Sequence, residues 1–262
     1  MEIVVLVKRV PDSEAQVQVK PDGSGVTVEE RYGMNFFDSL AVEEALRIKE
    51  KFGGRVTAIS LGPSQSVEVL RTAIAMGVDD AILLEEEALL GGDEYATARA
   101  LAAGVKTLPY DLVLCGREAF DDSSGVVGPV VAQFLGIPSV TMVTKVEVEP
   151  EQRKVKVERE AEGGRELIEA PLPALLTAQK GLNEPRVPPV MGVVKAMKAQ
   201  IKKLDLGSLG LGPEEVGQKG AKLEVLRYIE PPKRRAVKYI KGEPPEMVKE
   251  LIEFLKTEAK AL

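Results

Sequence analysis

The first half of the chain repeats one pattern: a short apolar run, a turn of small residues, then a longer segment whose apolar positions recur at helical spacing. Ile3 to Val7 reads as a buried strand, Arg55 to Leu61 as a second, Asp80 to Leu84 as a third and Asp111 to Cys115 as a fourth. Between them Leu40, Ala41, Ala45, Ile48 and Phe52 form the stripe of a helix that stops at Gly53-Gly54. Val67, Leu70, Ala73 and Ile74 mark another, ended by Gly77, and Ala96, Ala100, Leu101 and Val105 mark a third after Asp93. This order predicts an α/β fold, a parallel sheet with helices on both faces and its strand-end loops gathered along one ligand-binding rim.

From Gly116 the pattern changes. A polar loop, Gly116 to Gly125, feeds an apolar helix from Val126 to Leu135, and a fifth strand is expected over Ser139 to Val143. Val146 to Val157 and Glu166 to Glu169, around a charged turn at Glu162-Gly163-Gly164, alternate as antiparallel strands do and predict antiparallel edge strands. Leu175 to Ala178 is strand-like, Gly181 to Val190 is a loop with three prolines, and Val193 to Lys203 predicts a Lys-rich amphipathic helix. After the Gly-rich stretch Leu206 to Gly212, Leu223 to Tyr228 predicts a strand, and Pro244 to Ala259 a terminal helix with Val248, Leu251, Ile252 and Leu255 as its stripe. Breakers and short elements alternate here, with too little apolar content for a separate core. The expected division is an α/β nucleotide-binding core over residues 1–190 and a C-terminal arm over 191–262, packed on a partner or folded back on its own domain.

Composition narrows the chemistry. With 44% hydrophobic residues in 262, a sizeable core is available, but the chain has no His and one Cys. That excludes Ser/His/Asp and Cys/His relays, His-rich metal sites, internal disulfides and CxxC redox pairs. Acid–base work would fall to Asp, Glu, Lys or Tyr. Neither catalytic nor metal-ligating residues are assigned. The opening Met1 to Lys8 lacks the basic start and longer apolar stretch of a signal peptide, and no run approaches a membrane span, so a cytoplasmic chain without membrane insertion is expected. A net charge of -6 argues against broad nucleic-acid binding, and Lys195, Lys198, Lys202 and Lys203 lack an aromatic platform for it.

Four segments carry candidate chemistry. Asp121-Asp122-Ser123-Ser124-Gly125-Val126-Val127-Gly128 follows the fourth strand and enters a helix, where unpaired N–H groups, Ser donors and glycines suit a phosphate. The two Asp side chains would repel one, so they cap the helix, hold a ribose hydroxyl or order the loop; a capped helix without any ligand remains open. Asn35-Phe36-Phe37-Asp38 precedes the first long helix with Asp38 as N-cap, the aromatics serving a hydrophobic staple, a flat ligand or an interface. Cys115 reads as core rather than nucleophile. Leu182-Asn183-Glu184-Pro185-Arg186 reads either as a docking loop with one exposed Leu anchor or as a plain connector. No Gly-x-Gly-x-x-Gly or Walker A loop follows the first strand, where Lys8-Arg9-Val10-Pro11-Asp12 stands instead.

The Asp121 to Gly128 loop and Leu182-Asn183-Glu184-Pro185-Arg186, with Val7-Lys8-Arg9-Val10-Pro11-Asp12, Met34 to Asp38 leading to Ala41-Val42-Glu43-Glu44-Ala45, Thr72 to Gly77, and Val157-Glu158-Arg159-Glu160 with Gly163-Gly164, run in one order over nearly the whole length. Together they resemble the beta subunits of electron transfer flavoproteins. The resemblance implies an adenine-nucleotide-hydrolase-like, Rossmann-like three-layer fold, a heterodimer with an alpha subunit that holds most of the FAD, and a buried structural AMP. By similarity AMP would be held by Leu6, Asn35, Phe36, Phe37, Asp38, Leu61 and the loop and helix Asp121, Asp122, Ser123, Ser124, Gly125, Val126, Val127, Gly128, Pro129, Val130, Val131 and Ala132. Phe37 would approach the flavin, Leu182 to Arg186 would be the loop that partner dehydrogenases recognise, and the arm would reach the alpha subunit. The complex would carry electrons from acyl-CoA or related dehydrogenases to a quinone oxidoreductase. Two positions depart from the family pattern: Phe36 replaces a usual proline, freeing the turn, and Ser13 stands where some relatives place a Tyr near the flavin. A rival class is an enzyme that processes an adenine nucleotide at the same sheet edge; another is a nucleotide sensor.

Overall fold

Alternation within the first apolar run sets the architecture. In β1 (Glu2–Leu6) Ile3 and Val5 pack on one face and Val4 and Leu6 on the other, and all four are buried, which requires cover on both sides. The structure is a computed structural model describing residues 1–232, 237 and 239–262. After β1 come β2 (Arg9–Pro11), β3 (Val17–Val19), β4 (Val26–Val28) and β5 (Tyr32–Met34), two small antiparallel pairs joining β2 to β5 and β3 to β4. Three-residue strands with exposed positions carry too short a period to be read from sequence. Then α1 (Phe36–Phe52), β6 (Arg55–Leu61), α2 (Val67–Met76), β7 (Asp80–Leu84), α3 (Glu94–Lys106), β8 (Leu112–Gly116) and α4 (Val127–Leu135) follow in the expected alternation.

The second half adds β9 (Ser139–Glu149), β10 (Lys154–Ala161), β11 (Gly164–Pro171), β12 (Ala174–Ala178), α5 (Val190–Lys198), β13 (Lys202–Leu204), the short α6 (Leu206–Leu209) and α7 (Gly217–Gly220), and α8 (Pro244–Thr257). Among the described residues nine strands form one sheet, in the order β11-β10-β9-β12-β8-β1-β6-β7-β13. The seven from β9 to β13 pair parallel, and β9, β10 and β11 pair antiparallel at the edge. Helices α1, α2 and α5 contribute to the core on the Ile3 and Val5 face, and α3 and α4 to the core on the Val4 and Leu6 face. The result is the three-layer α/β fold expected. The chain runs outward from β1 through β6 to β7, then returns to the other side of β1 as β8, so a crevice opens beyond the strand ends between β1 and β8.

Several expected elements shift. Val146 to Val157 is divided between two strands by a turn at Pro150–Gln152 and Arg153, whose φ is 49°. The helix expected to reach Lys203 stops at Lys198, after which Lys202–Leu204 joins β7 as a parallel edge strand. Leu223 to Tyr228 is extended but belongs to no sheet among the described residues; the Tyr228 N–H instead donates to the Gly23 carbonyl. Its amides find partners elsewhere: those of Lys222 and Leu223 just before and at its start go to the Asp93 carboxylate, and that of Tyr228 goes to the Gly23 carbonyl.

Residues 190–220 remain on the core. Arg71 donates to the carbonyls of Ala196 and Met197, and Gly192 lies so close to the Ala75 carbonyl that a Cβ would come within 2.2 Å. Beyond them Leu223, Val225, Leu226 and Ile229 are exposed, and α8 buries none of its residues although Val248, Leu251 and Ile252 form an apolar stripe. Among the described residues no helix is long and apolar enough to cross a membrane.

Candidate functional site

The crevice at the switch point is held together by Asp38. Its Oδ2 accepts the Lys8 N–H at 2.7 Å, just past β1, and its Oδ1 accepts the Gly116 N–H at 2.9 Å, at the end of β8. One buried carboxyl thus clamps the two strands between which the crevice opens. Burial pushes its pKa up to about 7, against the opposing pull of the Lys8 N–H, Asn35 and the Gly116 N–H. Gly116 must be glycine, because a Cβ would stand 2.5 Å from Asp38 Oδ1 and 2.6 Å from Phe37 Cβ. Asp38 is therefore not the N-cap expected. Asn35 occupies that position, without a side-chain cap bond, and its Nδ2 donates to the Glu118 carbonyl at 2.8 Å.

The loop after β8 is ordered from within and from β1. Ser124 N–H donates to Asp122 Oδ1 at 3.0 Å, and the Lys8 ammonium donates to Asp121 Oδ1 and Asp122 Oδ2, both at 2.8 Å. Gly125 takes a φ of 65°, which favours glycine, and Ser123 takes 51°, a strained value of the kind found at functional loops. Helix α4 starts with Val126 at its N-cap and no side chain accepting from its first turn, so neither Asp caps it. They order the loop instead. The amides of Val127 and Gly128 therefore open on the crevice without a capping carboxylate, the arrangement that attracts an anion.

A cavity of about 990 Å³ results. Of the expected residues, Leu6, Asn35, Asp38, Leu61, Asp122, Ser124, Gly125, Val126, Val127 and Gly128 line it. Phe36, Phe37, Asp121, Ser123, Pro129, Val130, Val131 and Ala132 do not; Val131 and Ala132 are buried in the core beneath α4. Asn35 Oδ1 is buried with no hydrogen-bond partner, a polar atom in the cavity wall that a ligand donor would satisfy. A nucleoside monophosphate fits this set in chemistry: apolar strand ends, an orphaned amide oxygen and uncapped helix amides.

Two parts of the wall escape sequence reasoning. Gly91, Gly92, Asp93, Glu94 and Thr97 bring the start of α3 to the same cavity; the Gly-Gly-Asp signal before a helix could have found them. Asp93 caps α3 through Oδ1, accepting from Ala96 N–H at 2.9 Å, while Oδ2 accepts the N–H groups of Lys222 and Leu223 at 2.6 and 3.0 Å. The segment thus anchored, with Val225 and Tyr228, forms a further wall of the cavity. Nothing local in Lys222 to Tyr228 signals that position.

Beside the cavity three phenylalanines meet. Phe37 stacks on Phe120 with centroids 5.7 Å apart and meets Phe36 edge-on at 5.5 Å, while the Arg117 guanidinium lies 5.0 Å from the Phe37 ring centre. Phe37 is buried and Phe36 and Phe120 are exposed. Phe120, unremarked in sequence, is the ring that covers Phe37. Cys115 is buried, and burial, with Asp38 adding to it, pushes its thiol pKa well up, consistent with a core role.

The loop from Leu182 to Arg186 lies on α1, and none of its residues lines the cavity. Asn183 Nδ2 donates to the Leu40 carbonyl at 3.0 Å and to Glu44 Oε2 at 2.9 Å. Arg186 donates through Nε and Nη2 to both oxygens of Glu43 and through Nη1 to Glu50. Leu182 is half-buried against the core rather than fully exposed, Pro185 is half-buried and Glu184 is exposed. Thus Asn183 and Arg186 fix the loop's shape, and the open apolar surface continues into Val187, Val190 and Met191.

Comparison with known proteins bears on the same residues. A family model described as the electron transfer flavoprotein domain matches residues 24–209. An electron transfer flavoprotein subunit beta of Thermoanaerobacterium thermosaccharolyticum is 43% identical over 97% of this chain and 98% of its own length. One from Bacillus subtilis is 38% identical over the full length of both. A caffeyl-CoA reductase-Etf complex subunit, CarD, of Acetobacterium woodii is 39% identical over 92% of each.

Proposed function

Because the chain belongs to the electron transfer flavoprotein family, as a beta subunit serving electron transfer, we propose that it binds a structural AMP in the switch-point cavity and helps enclose an FAD carried mainly by an alpha subunit. The observation that carries this reading is the uncapped start of α4 opening on a 990 Å³ cavity whose wall contains the orphaned Asn35 Oδ1. The strand ends and Asn35 would hold the adenine and ribose, and the amides of Val127 and Gly128 would hold the phosphate.

FAD supplies the one- and two-electron chemistry when bound, so a chain without histidine is not handicapped. This chain's own part is to position and shield. Phe36 and Phe120, the exposed rings packed on the buried Phe37, form the aromatic side that would face the flavin. The arm packs on the alpha subunit through the part that follows the Asp93 anchor, and support for this comes from the exposed Leu226 and Ile229 and the unburied stripe of α8. Acyl-CoA or related dehydrogenases dock on the loop from Leu182 to Arg186, which α1 holds in one shape. Electrons leave to a quinone oxidoreductase. The chain turns over no substrate of its own and works in the cytoplasm.

Mass spectrometry of the denatured, purified complex tests the nucleotide. AMP near one per beta subunit is expected; fully active material that releases none refutes the reading.

A further inference from the structure

The acidic loop beside α4 poses a physical problem for an anionic ligand. Asp121 and Asp122 stand in the loop that leads into the helix start whose amides would bind the phosphate, Asp122 in the cavity wall itself, and two carboxylates near an anion oppose its entry. We propose that Lys8 is a positioning residue for the phosphate: by holding both carboxylates it makes the loop compatible with an anion at the start of α4. The inference rests on the reading of the cavity as an AMP site and states how that site admits a negative charge.

Lys8 is fixed at both ends of its own backbone. Its N–H donates to Asp38 Oδ2 at 2.7 Å and its carbonyl accepts the Asn35 N–H at 3.0 Å, so the side chain leaves the end of β1 in a set direction. It lines the cavity and ends with Nζ 2.8 Å from Asp121 Oδ1 and 2.8 Å from Asp122 Oδ2. Asp122 has no oxygen left over, since Oδ1 accepts the Ser124 N–H. Burial alone would lower the Lys8 pKa, but the hydrogen bonds and charges of Asp121 and Asp122 together hold it above the ordinary lysine value. Asp122 is likewise held below the ordinary carboxylate value despite its burial, by Lys8 and by the Ser124 N–H. The Lys8 ammonium therefore stands against both carboxylates, and its positive charge offsets part of the loop's negative charge. An ammonium has three donors, two of which serve the carboxylates, so one remains for an anion in the cavity.

A partly exposed ion pair contributes little to stability, and the effect of Lys8 is accordingly expected in selectivity between a charged and an uncharged nucleoside. The test uses the full-length chain in complex with its alpha subunit, freed of nucleotide, with AMP and adenosine as probes in equilibrium dialysis. The wild-type complex prefers AMP. Lys8→Met lowers the ratio of AMP to adenosine affinity by about tenfold or more, and adding Asp121→Asn and Asp122→Asn to it returns most of that ratio. A merely structural role would weaken both probes alike, so equal losses, or an unchanged ratio in Lys8→Met, overturn the inference while leaving the AMP site standing. A ratio that the triple substitution fails to restore also overturns it. A wild-type complex that binds neither probe overturns the AMP reading itself.

Discussion

Arg186→Ala offers the sharpest check on how the loop from Leu182 to Arg186 is held. Glu43 is almost wholly buried, its side chain 4% exposed, whereas Arg186 is 30% exposed. Arg186 gives Glu43 two side-chain hydrogen bonds, at 2.7 and 3.1 Å, and its backbone N–H a third at 3.1 Å. Truncation leaves the backbone bond and Arg47 Nε at 2.8 Å, so Glu43 is weakened but not orphaned. Stranding a buried charge outright costs about 3–5 kcal/mol. Two charge-assisted bonds, discounted for the solvent reaching Arg186 and with nothing counted for the exposed Glu50, come to about 2 kcal/mol. Urea unfolding of the complex at fixed concentration measures it, with an unchanged slope expected. Arg186→Lys keeps the charge without the planar fork and recovers only part of the loss. The pH dependence has a definite sign. Burial raises the Glu43 pKa, but Arg186 and Arg47 outweigh it and hold the folded value below the ordinary 4.5. The stabilisation is therefore complete above pH 4.5 and is lost as pH falls through the folded value, so wild type and Arg186→Ala converge in acid. A deficit under about 0.5 kcal/mol at pH 7 would refute the reasoning, because it would place the bridge among inconsequential surface pairs.

Two further predictions concern the Asp38 clamp and the loop proposed for docking. With its folded pKa raised from 3.8 to about 7, Asp38 keeps a proton that the unfolded chain gives up, so stability falls as pH rises through that window and levels off above it. Asp38→Asn removes this slope and, by leaving one of two backbone N–H groups unmet, costs about 1–3 kcal/mol; a wild-type stability that rises across the window excludes a protonated clamp. Leu182→Ala is expected to slow reduction of the complex by a dehydrogenase in stopped-flow traces while flavin content stays constant, and unchanged saturation kinetics would remove this loop from the docking face.

What the chain reveals of itself by sequence follows the range of the interactions involved. Ile3 to Val7 and its successors are legible because burial on both faces leaves a continuous apolar run, and the helices between them because their stripe repeats every turn. Most of the loop from Asp121 to Gly128 lines the cavity, and from its residue types the loop is legible as a turn into a helix. The job of its carboxylates is not, because their partner Lys8 is 113 and 114 residues away and only the adjacency of β1 and β8 brings it there. Asp38 shows the same gap: as a residue before a helix it reads as a cap, yet both oxygens go to strand ends, one of them 78 residues on. Asp93 does double duty for the same reason, capping α3 locally while its second oxygen receives amides from 129 and 130 residues later. In each case a short polar side chain satisfies a local rule with one atom and a topological one with the other. The cavity is therefore a product of strand order more than of any contiguous motif: reversing the winding at β1 is what sets Lys8, Asp38 and the Asp121-Asp122 loop around a single opening. A substitution that kept every motif residue but pushed Asp38 and the start of α1 away from the end of β8, as a Cβ at Gly116 would, should abolish the site more completely than the loss of either loop carboxylate.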